Sequence, residues 1–165
     1  SSAVTTIGRH SPDANRNDLL VGKQKVGISC LSSIDDNLLA SAGWDKKFYV
    51  WDVRQSDSKA VATVDLPGKA FSMDAAGTKV VVATSGRRNC FFDIRQPEQL
   101  DKENSEEGIA KLLADRESSL KYQTRLVKFF PDGKGIAVGS IEGRVAIEYL
   151  DDIGISSGEW YCIME

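Results

Sequence analysis

An all-β fold made of repeated units is what this 165-residue sequence predicts, on three observations. The chain repeats itself, each repeat holds several short runs with strand periodicity, and turn-forming residues separate those runs. Sliding the sequence by 41 residues lays "AGWDKKFYVWDVR" (42–54) without a gap on "ATSGRRNCFFDIR" (83–95). Trp51-Asp52 then lies over Phe92-Asp93, and each pair runs into a hydrophobic residue followed by Arg. A slide of 97 lays "GSIEGRVAIEY" (139–149) on the same frame. The second interval exceeds the first, which requires an insertion between them. The segment "QPEQLDKENSEEG" (96–108) is polar and acidic, as an exposed loop should be.

Within the first unit, "KVGISCL" (25–31) alternates, "LLASAG" (38–43) is a short apolar run, and "KFYVWDV" (47–53) is rich in aromatic and β-branched residues. "AVATVDL" (60–66) supplies a fourth strand, and about 110–116 supplies its counterpart in the second unit. Asp35-Asp36-Asn37, Ala76-Gly77-Thr78 and Pro131-Asp132-Gly133-Lys134 mark turns. One segment competes: "SEEGIAKLLADRE" (105–117) carries a Ser cap, early glutamates and apolar residues at helical spacing. A strand is preferred there, because the unit otherwise lacks its outer member. Four short strands at this period match the blade of a WD-repeat β-propeller, which repeats every ~40–45 residues.

The units are expected over about 19–66, 67–116 with the insertion at 96–108, and 120–165, with 1–18 a remnant of a preceding blade or a flexible terminus. "IGISSGEWYCIME" (153–165) holds a weak candidate for the last fourth strand. Three units cannot close a propeller of typically 4–8 blades. The chain is therefore expected to be part of a longer one, or to associate and cover its exposed edge.

Composition fits an ordinary globular protein, with 41% hydrophobic and 27% charged residues. No apolar run approaches the roughly 18 residues of a membrane span. The start, "SSAVTTIGRH", resembles neither a signal peptide nor a presequence and lacks Met, so the chain is read as beginning inside a longer one. A net charge of −3 does not favour nucleic acid or an anionic membrane. Cys30, Cys90 and Cys162 are far apart and odd in number, and His10 is the single histidine, so no zinc site or other cofactor is expected. Buried free thiols are.

Trp51 and Trp44 are given different work. Trp51 falls in a strand column with Phe92 and Glu148, where alternation would bury it between neighbouring blades. Trp44 falls in the turn before that strand, over Ser85 and Ile141, where the repeat demands no aromatic. It reads as an exposed interface anchor, the alternative being an indole folded over a neighbouring blade. In the same turns Lys46-Lys47 align with Arg87-Arg88 and Gly143-Arg144. Repetition would stack Lys47, Arg88 and Arg144 as a basic arc suited to an acidic or phosphorylated peptide. The alternative is a set of simply polar turns.

"RESSLKYQTR" (116–125) and "GSIEGRVAIEYLD" (139–151) closely resemble the WD-repeat propeller of the Bub family of mitotic-checkpoint proteins. "GWDKKFYVWDVR" and "SGRRNCFFDIR" match its preceding blades in order and approximate spacing. The resemblance covers about 19–152, the third to fifth blades of an expected seven. A messenger-RNA export propeller of the nuclear pore shares the "GSIEGRVAI"-like stretch, and Ser119 and Tyr122 favour the checkpoint branch. The resemblance implies a non-enzymatic adaptor, nuclear and at the kinetochore in mitosis. Its face would bind the acidic GLEBS motif of the Bub-family checkpoint kinase and its pseudokinase-like relative, and the complex would recognise a phosphorylated kinetochore scaffold protein. It implies that Trp44 stacks on the peptide and that Arg125 and Arg144 meet carboxylate or phosphate. Lys121 and Tyr122 belong to the same matched motif. The chain departs from the family in its 96–108 insertion and in "EWYCIME", which replaces a "KCHR"-type ending.

Other classes find less. No Ser-His-Asp or Cys-His arrangement is evident, and the Gly-Lys-Gly of "PDGKGIAVGS" lacks phosphate-loop spacing. Asp35-Asp36, Glu106-Glu107 and Asp151-Asp152 read as solvated loop carboxylates. Direct nucleic-acid binding is disfavoured by the charge balance and by few aromatics near the basic arc.

Overall fold

Period-two alternation decides which face of each strand is buried, and turn chemistry decides where the chain reverses. The computed structural model describes residues 5–9, 19–24, 26–55, 59–95, 108–150 and 161–163, and these form strands and turns without a helix. The strands are β1 (Thr5–Arg9), β2 (Leu19–Gln24), β3 (Ile28–Ser33), β4 (Leu38–Gly43), β5 (Lys47–Asp52), β6 (Ala62–Asp65), β7 (Ala70–Ala76), β8 (Lys79–Thr84) and β9 (Arg88–Ile94). They continue as β10 (Ala110–Glu117), β11 (Thr124–Phe129), β12 (Gly135–Ser140), β13 (Val145–Tyr149) and β14 (Tyr161–Ile163). Three antiparallel four-stranded sheets result, ordered β3-β4-β5-β6, β7-β8-β9-β10 and β11-β12-β13-β14.

Residues 110–117 are a strand, so the helical spacing of Ile109, Leu112 and Leu113 loses to pairing with β9. Arg95 N–H donates to Ile109 O at 2.9 Å, so the chain leaves for the insertion and returns from it at one point. Residues 96–107, His10, the 151–152 pair and the Cys162 side chain lie outside the described residues. The start of the first unit differs from the expected 19. Residues 19–24 give their backbone groups to β1, from Leu19↔Arg9 to Gln24↔Thr5, and the four-stranded sheet begins at Ile28.

The turns follow from their side chains. Asp35 Oδ1 accepts the N–H groups of Asn37 and Leu38, both at 2.7 Å, which reverses the chain before β4. Asp132 Oδ1 does the same for Lys134 at 3.0 Å. The Asp-hydrophobic-Arg that closes the third strand of two units is a local clamp. Asp52 holds the Arg54 guanidinium at 2.9 and 3.0 Å, and Asp93 holds Arg95 at 3.4 Å.

The core lies between sheets. Leu38, Ala40, Phe48 and Val50 of the first meet Met73, Val80, Val82, Phe92 and Ile94 of the second. Phe48 and Phe92 stack with centroids 4.7 Å apart. On its opposite face the second sheet offers Val81, Ala83 and Phe91 to Leu120, Val127, Ile136, Val138 and Ala146. Trp51 is buried with Ile28, Leu39 and Tyr49 on the face of the first sheet that looks away from the second. Side chains also tie the three leading strands β3, β7 and β11 to one another. Ser29 Oγ donates to Ala70 O (2.7 Å), Ser72 Oγ accepts from Val127 N–H (3.1 Å), and Asp74 accepts from Phe129 N–H (2.8 Å). Cys90 is buried as expected of a free thiol, whereas Cys30 is only partly covered.

Candidate functional site

Antiparallel order puts the turns β4–β5, β8–β9 and β12–β13 at one end of the sheets, together with the connections from each fourth strand to the next sheet. Leu66 N–H donates to Lys46 O, Ser118 N–H to Arg87 O and Ile141 N–H to Gln123 O, fastening turn to connection each time. The aligned positions Lys46, Arg87 and Gly143 all adopt left-handed backbone, at φ 60°, 62° and 84°. The third turn meets this demand with glycine, and the first two with a cation.

The β4–β5 turn is built around Asp45. Its carboxylate accepts from Gln24 Nε2 (3.0 and 3.1 Å), from Lys47 N–H (3.2 Å) and from Tyr49 OH (3.0 Å). Burial, and then Asp45, push the Tyr49 hydroxyl up to about 12. Gln24 continues the chain: its Oε1 accepts from Ser41 Oγ at 3.3 Å, and Ser41 Oγ accepts from Trp51 Nε1 at 2.8 Å. The two Trp-Asp pairs are thus joined by one relay, Trp51–Ser41–Gln24–Asp45. Gly43 lets this turn close, since a Cβ there would lie 2.6 Å from Gly27 O and 2.8 Å from Gln24 Nε2. With Asp45 turned inward, Trp44 is turned out and remains 56% exposed.

Trp44 and Arg125 line one cleft of about 610 Å³, with Cys30, Phe71, Met73 and Lys128 among its other walls. It lies between the leading strands of the three sheets. Burial raises the Cys30 thiol above its usual range, so it faces the cleft as a neutral group. Lys128 is held by Asp74 at 2.9 Å. Arg125 is exposed and has no ion-pair partner among the described residues, so it is the cation this cleft offers an outside anion.

The other candidates are distributed differently. Lys121 and Tyr122 are exposed in the 118–123 loop at the same end, and Arg144 sits in the β12–β13 turn, 3.9 Å from Glu142. None of the three lines the cleft. Lys47 and Arg88 depart from the expected arc, because each is engaged by its own sheet's fourth strand. Lys47 pairs with Asp65 at 2.5 Å and Arg88 with Asp115 at 2.6 Å. Arg87 is likewise bound to Glu117 and to Leu120 O. Asp45, Gln24 and Ser41 escaped sequence reasoning, since a relay reaching from Gln24 to Trp51 has no local signature; the repeated Trp-Asp was its one visible trace. Among the described residues no group of His, Cys, Asp and Glu is arranged to hold a metal ion.

No family model matches the chain. It is 33% identical over 139 residues to mitotic checkpoint protein bub-3 of Caenorhabditis elegans, covering 84% of this chain and 37% of that protein. It is 37% identical over 134 residues to mitotic checkpoint protein bub3 of Dictyostelium discoideum, covering 79% and 37%. A poly(A)+ RNA export protein of Schizosaccharomyces pombe is 38% identical over 115 residues, covering 70% and 29%. The chain thus spans well under half the length of these relatives. Among solved structures, the C-terminal WD40 domain of Sif2 superposes with a TM-score of 0.66 over 88% of this chain and 40% of that one, at 16% identity, a likeness of fold alone. The repeats, the three sheets and these relatives agree: the chain belongs to the WD-repeat family of Bub-type mitotic-checkpoint and RNA-export proteins, and its sheets form an incomplete β-propeller.

Proposed function

We infer that this chain is the peptide-binding part of a spindle-checkpoint adaptor, a docking surface without catalytic chemistry that works in the nucleus and at the kinetochore in mitosis. Its ligand is an acidic segment of the GLEBS type, carried by a Bub-family checkpoint kinase or its pseudokinase-like relative. The bound complex in turn meets a phosphorylated kinetochore scaffold. The observation that carries this reading is the pairing of an exposed indole, Trp44, with Arg125, which has no ion-pair partner among the described residues, on one cleft. An aromatic plane and a guanidinium fork suit a short peptide with apolar and carboxylate side chains. Lys121, Tyr122 and Arg144 stand at the same end and extend the surface. Lys47 and Arg88 shape it from within their own sheets.

The export relatives support a second reading, in which the same face serves an RNA-export factor and takes the acidic segment of a nucleoporin. Fluorescence anisotropy of an acidic GLEBS-type peptide and of a single-stranded RNA separates protein docking from nucleic-acid binding. Micromolar or tighter peptide binding that Trp44→Ala weakens at least tenfold supports docking. Tight RNA binding with steep salt dependence, and none to the peptide, contradicts it.

A further inference from the structure

The aligned positions Lys46, Arg87 and Gly143 answer one backbone demand in three ways. All three are left-handed, at φ 60°, 62° and 84°, a conformation that glycine reaches without steric cost and a residue with a Cβ does not. Gly143 meets the demand with no side chain at all. Lys46 is exposed, and its side chain has no partner among the described residues. Arg87 is different. Its guanidinium pairs with Glu117 at the end of β10 and donates to Leu120 O at 3.1 Å, so it bridges that strand end and the loop that follows. Its own carbonyl accepts Ser118 N–H at 2.7 Å, between those two contacts. A side chain kept where glycine would be easier, and engaged in this way, marks a constraint on the loop rather than on the turn.

What the bridge holds is a short tip. Leu120 is also fixed from within: its side chain is buried with Val127, Ile136 and Val138, and its N–H donates to Ser118 Oγ at 3.3 Å. At the far end of the loop Gln123 O accepts Ile141 N–H at 3.1 Å, and Thr124 is buried. Between these two fixed points lie Lys121 and Tyr122, both exposed, and Arg125 follows directly after Thr124. We propose that Arg87 is a positioning residue: its guanidinium, tied to Glu117 and to Leu120 O, sets where the 118–123 loop presents Lys121 and Tyr122 to a ligand. The claim rests on the reading of this end as a peptide surface. A guanidinium suits the task, because its planar fork serves a carboxylate and a carbonyl at once, whereas an ammonium is a point charge on a flexible stem. Arg87 acts on the peptide through the loop.

The test is amide hydrogen exchange on the intact chain without ligand, comparing wild type, Arg87→Gly, Arg87→Lys and Lys46→Gly. Glycine at position 87 suits the left-handed backbone and keeps the carbonyl that accepts Ser118 N–H, so the guanidinium alone is removed. Arg87→Gly should speed exchange across 119–123 at least about threefold relative to β8, and Arg87→Lys should recover part of the protection. Lys46→Gly, the same replacement where the side chain holds nothing, should leave 119–123 as in wild type. Unchanged loop exchange in Arg87→Gly overturns the proposal, and so does a rise that β8 or Lys46→Gly shares equally. The affinity of an acidic peptide for wild type and the two Arg87 variants separates the two claims. Arg87→Gly should weaken it at least about threefold, with Arg87→Lys in between. If the loop loosens and no peptide binds even wild type, the hold on the loop stands and the peptide reading fails. If the loop loosens and peptide affinity is unchanged, the positioning role is overturned.

Discussion

Between the first and second sheets, Phe48 stacks on Phe92 within a layer of Leu38, Val50, Met73, Val80, Val82 and Ile94. Between the second and third, Val81 and Phe91 meet Ile136 and Val138, but Asn89, Thr124, Ser140 and Glu148 are buried beside them with unpaired polar atoms. The two junctions come from the same repeat and the same strand order, yet one is dry and the other is not. The dry one lies under the turn of Trp44, whose geometry is fixed by the Asp45 relay. The polar one lies under the loop of Lys121 and Tyr122, which has no such relay among the described residues. The turn of Trp44 is thus held by a relay of side chains, and the loop beside it by backbone bonds and by Arg87 on Leu120 O.

The largest effect is expected from emptying the dry junction. Phe92→Ala should lower stability by about 3–5 kcal/mol in urea denaturation, the usual cost of removing a buried aromatic. A loss below about 1.5 kcal/mol would mean that this layer is not the main support. The polar junction should instead reveal itself through pH. Burial, offset in part by Arg116, lifts the Glu148 carboxyl from 4.5 to about 7. The native state then keeps a proton that the unfolded chain releases over that window. This group's contribution to stability therefore falls as pH rises from about 4.5 to 7 and is level above, by at most roughly 3 kcal/mol. Glu148→Gln should remove that slope, read as the difference between wild-type and variant stabilities at each pH; parallel curves would make the two junctions alike.

Much of the architecture was legible because a repeat announces itself wherever its columns align. The 41-residue slide placed Trp51 over Phe92, and burial of both follows from alternation. Trp44 was separable from Trp51 because its column had no other aromatic. Lys47 and Arg88 were not readable in the same way. Their neutralising partners, Asp65 and Asp115, lie 18 and 27 residues away on fourth strands, and no local spacing joins them. Glu148 was visible in the column of Trp51, but sequence alone does not say whether a carboxyl there is turned in or out.

Smaller changes sharpen the contrast on the dry side. Trp51→Phe removes the indole donor to Ser41 and should cost about 1–2 kcal/mol, with more proteolysis at the Trp44 turn. An unchanged turn would mean that Asp45 holds without the relay. Lys46→Gly, which supplies the residue that the third turn already has at this position, should alter stability by less than about 1 kcal/mol and in the stabilising direction. A clear loss would show that the Lys46 side chain does work beyond its backbone conformation.

The most direct measurement of the central claim is the affinity of one acidic GLEBS-type peptide for wild type, Trp44→Ala, Arg125→Glu, Lys47→Ala and Arg88→Ala in the intact chain. The cleft predicts at least a tenfold loss for the first two substitutions and no more than about threefold for the last two, whose charges are already matched by Asp65 and Asp115. Undiminished binding by Trp44→Ala and Arg125→Glu, with loss confined to Lys47→Ala and Arg88→Ala, would contradict it and return the site to the outer arc of the turns.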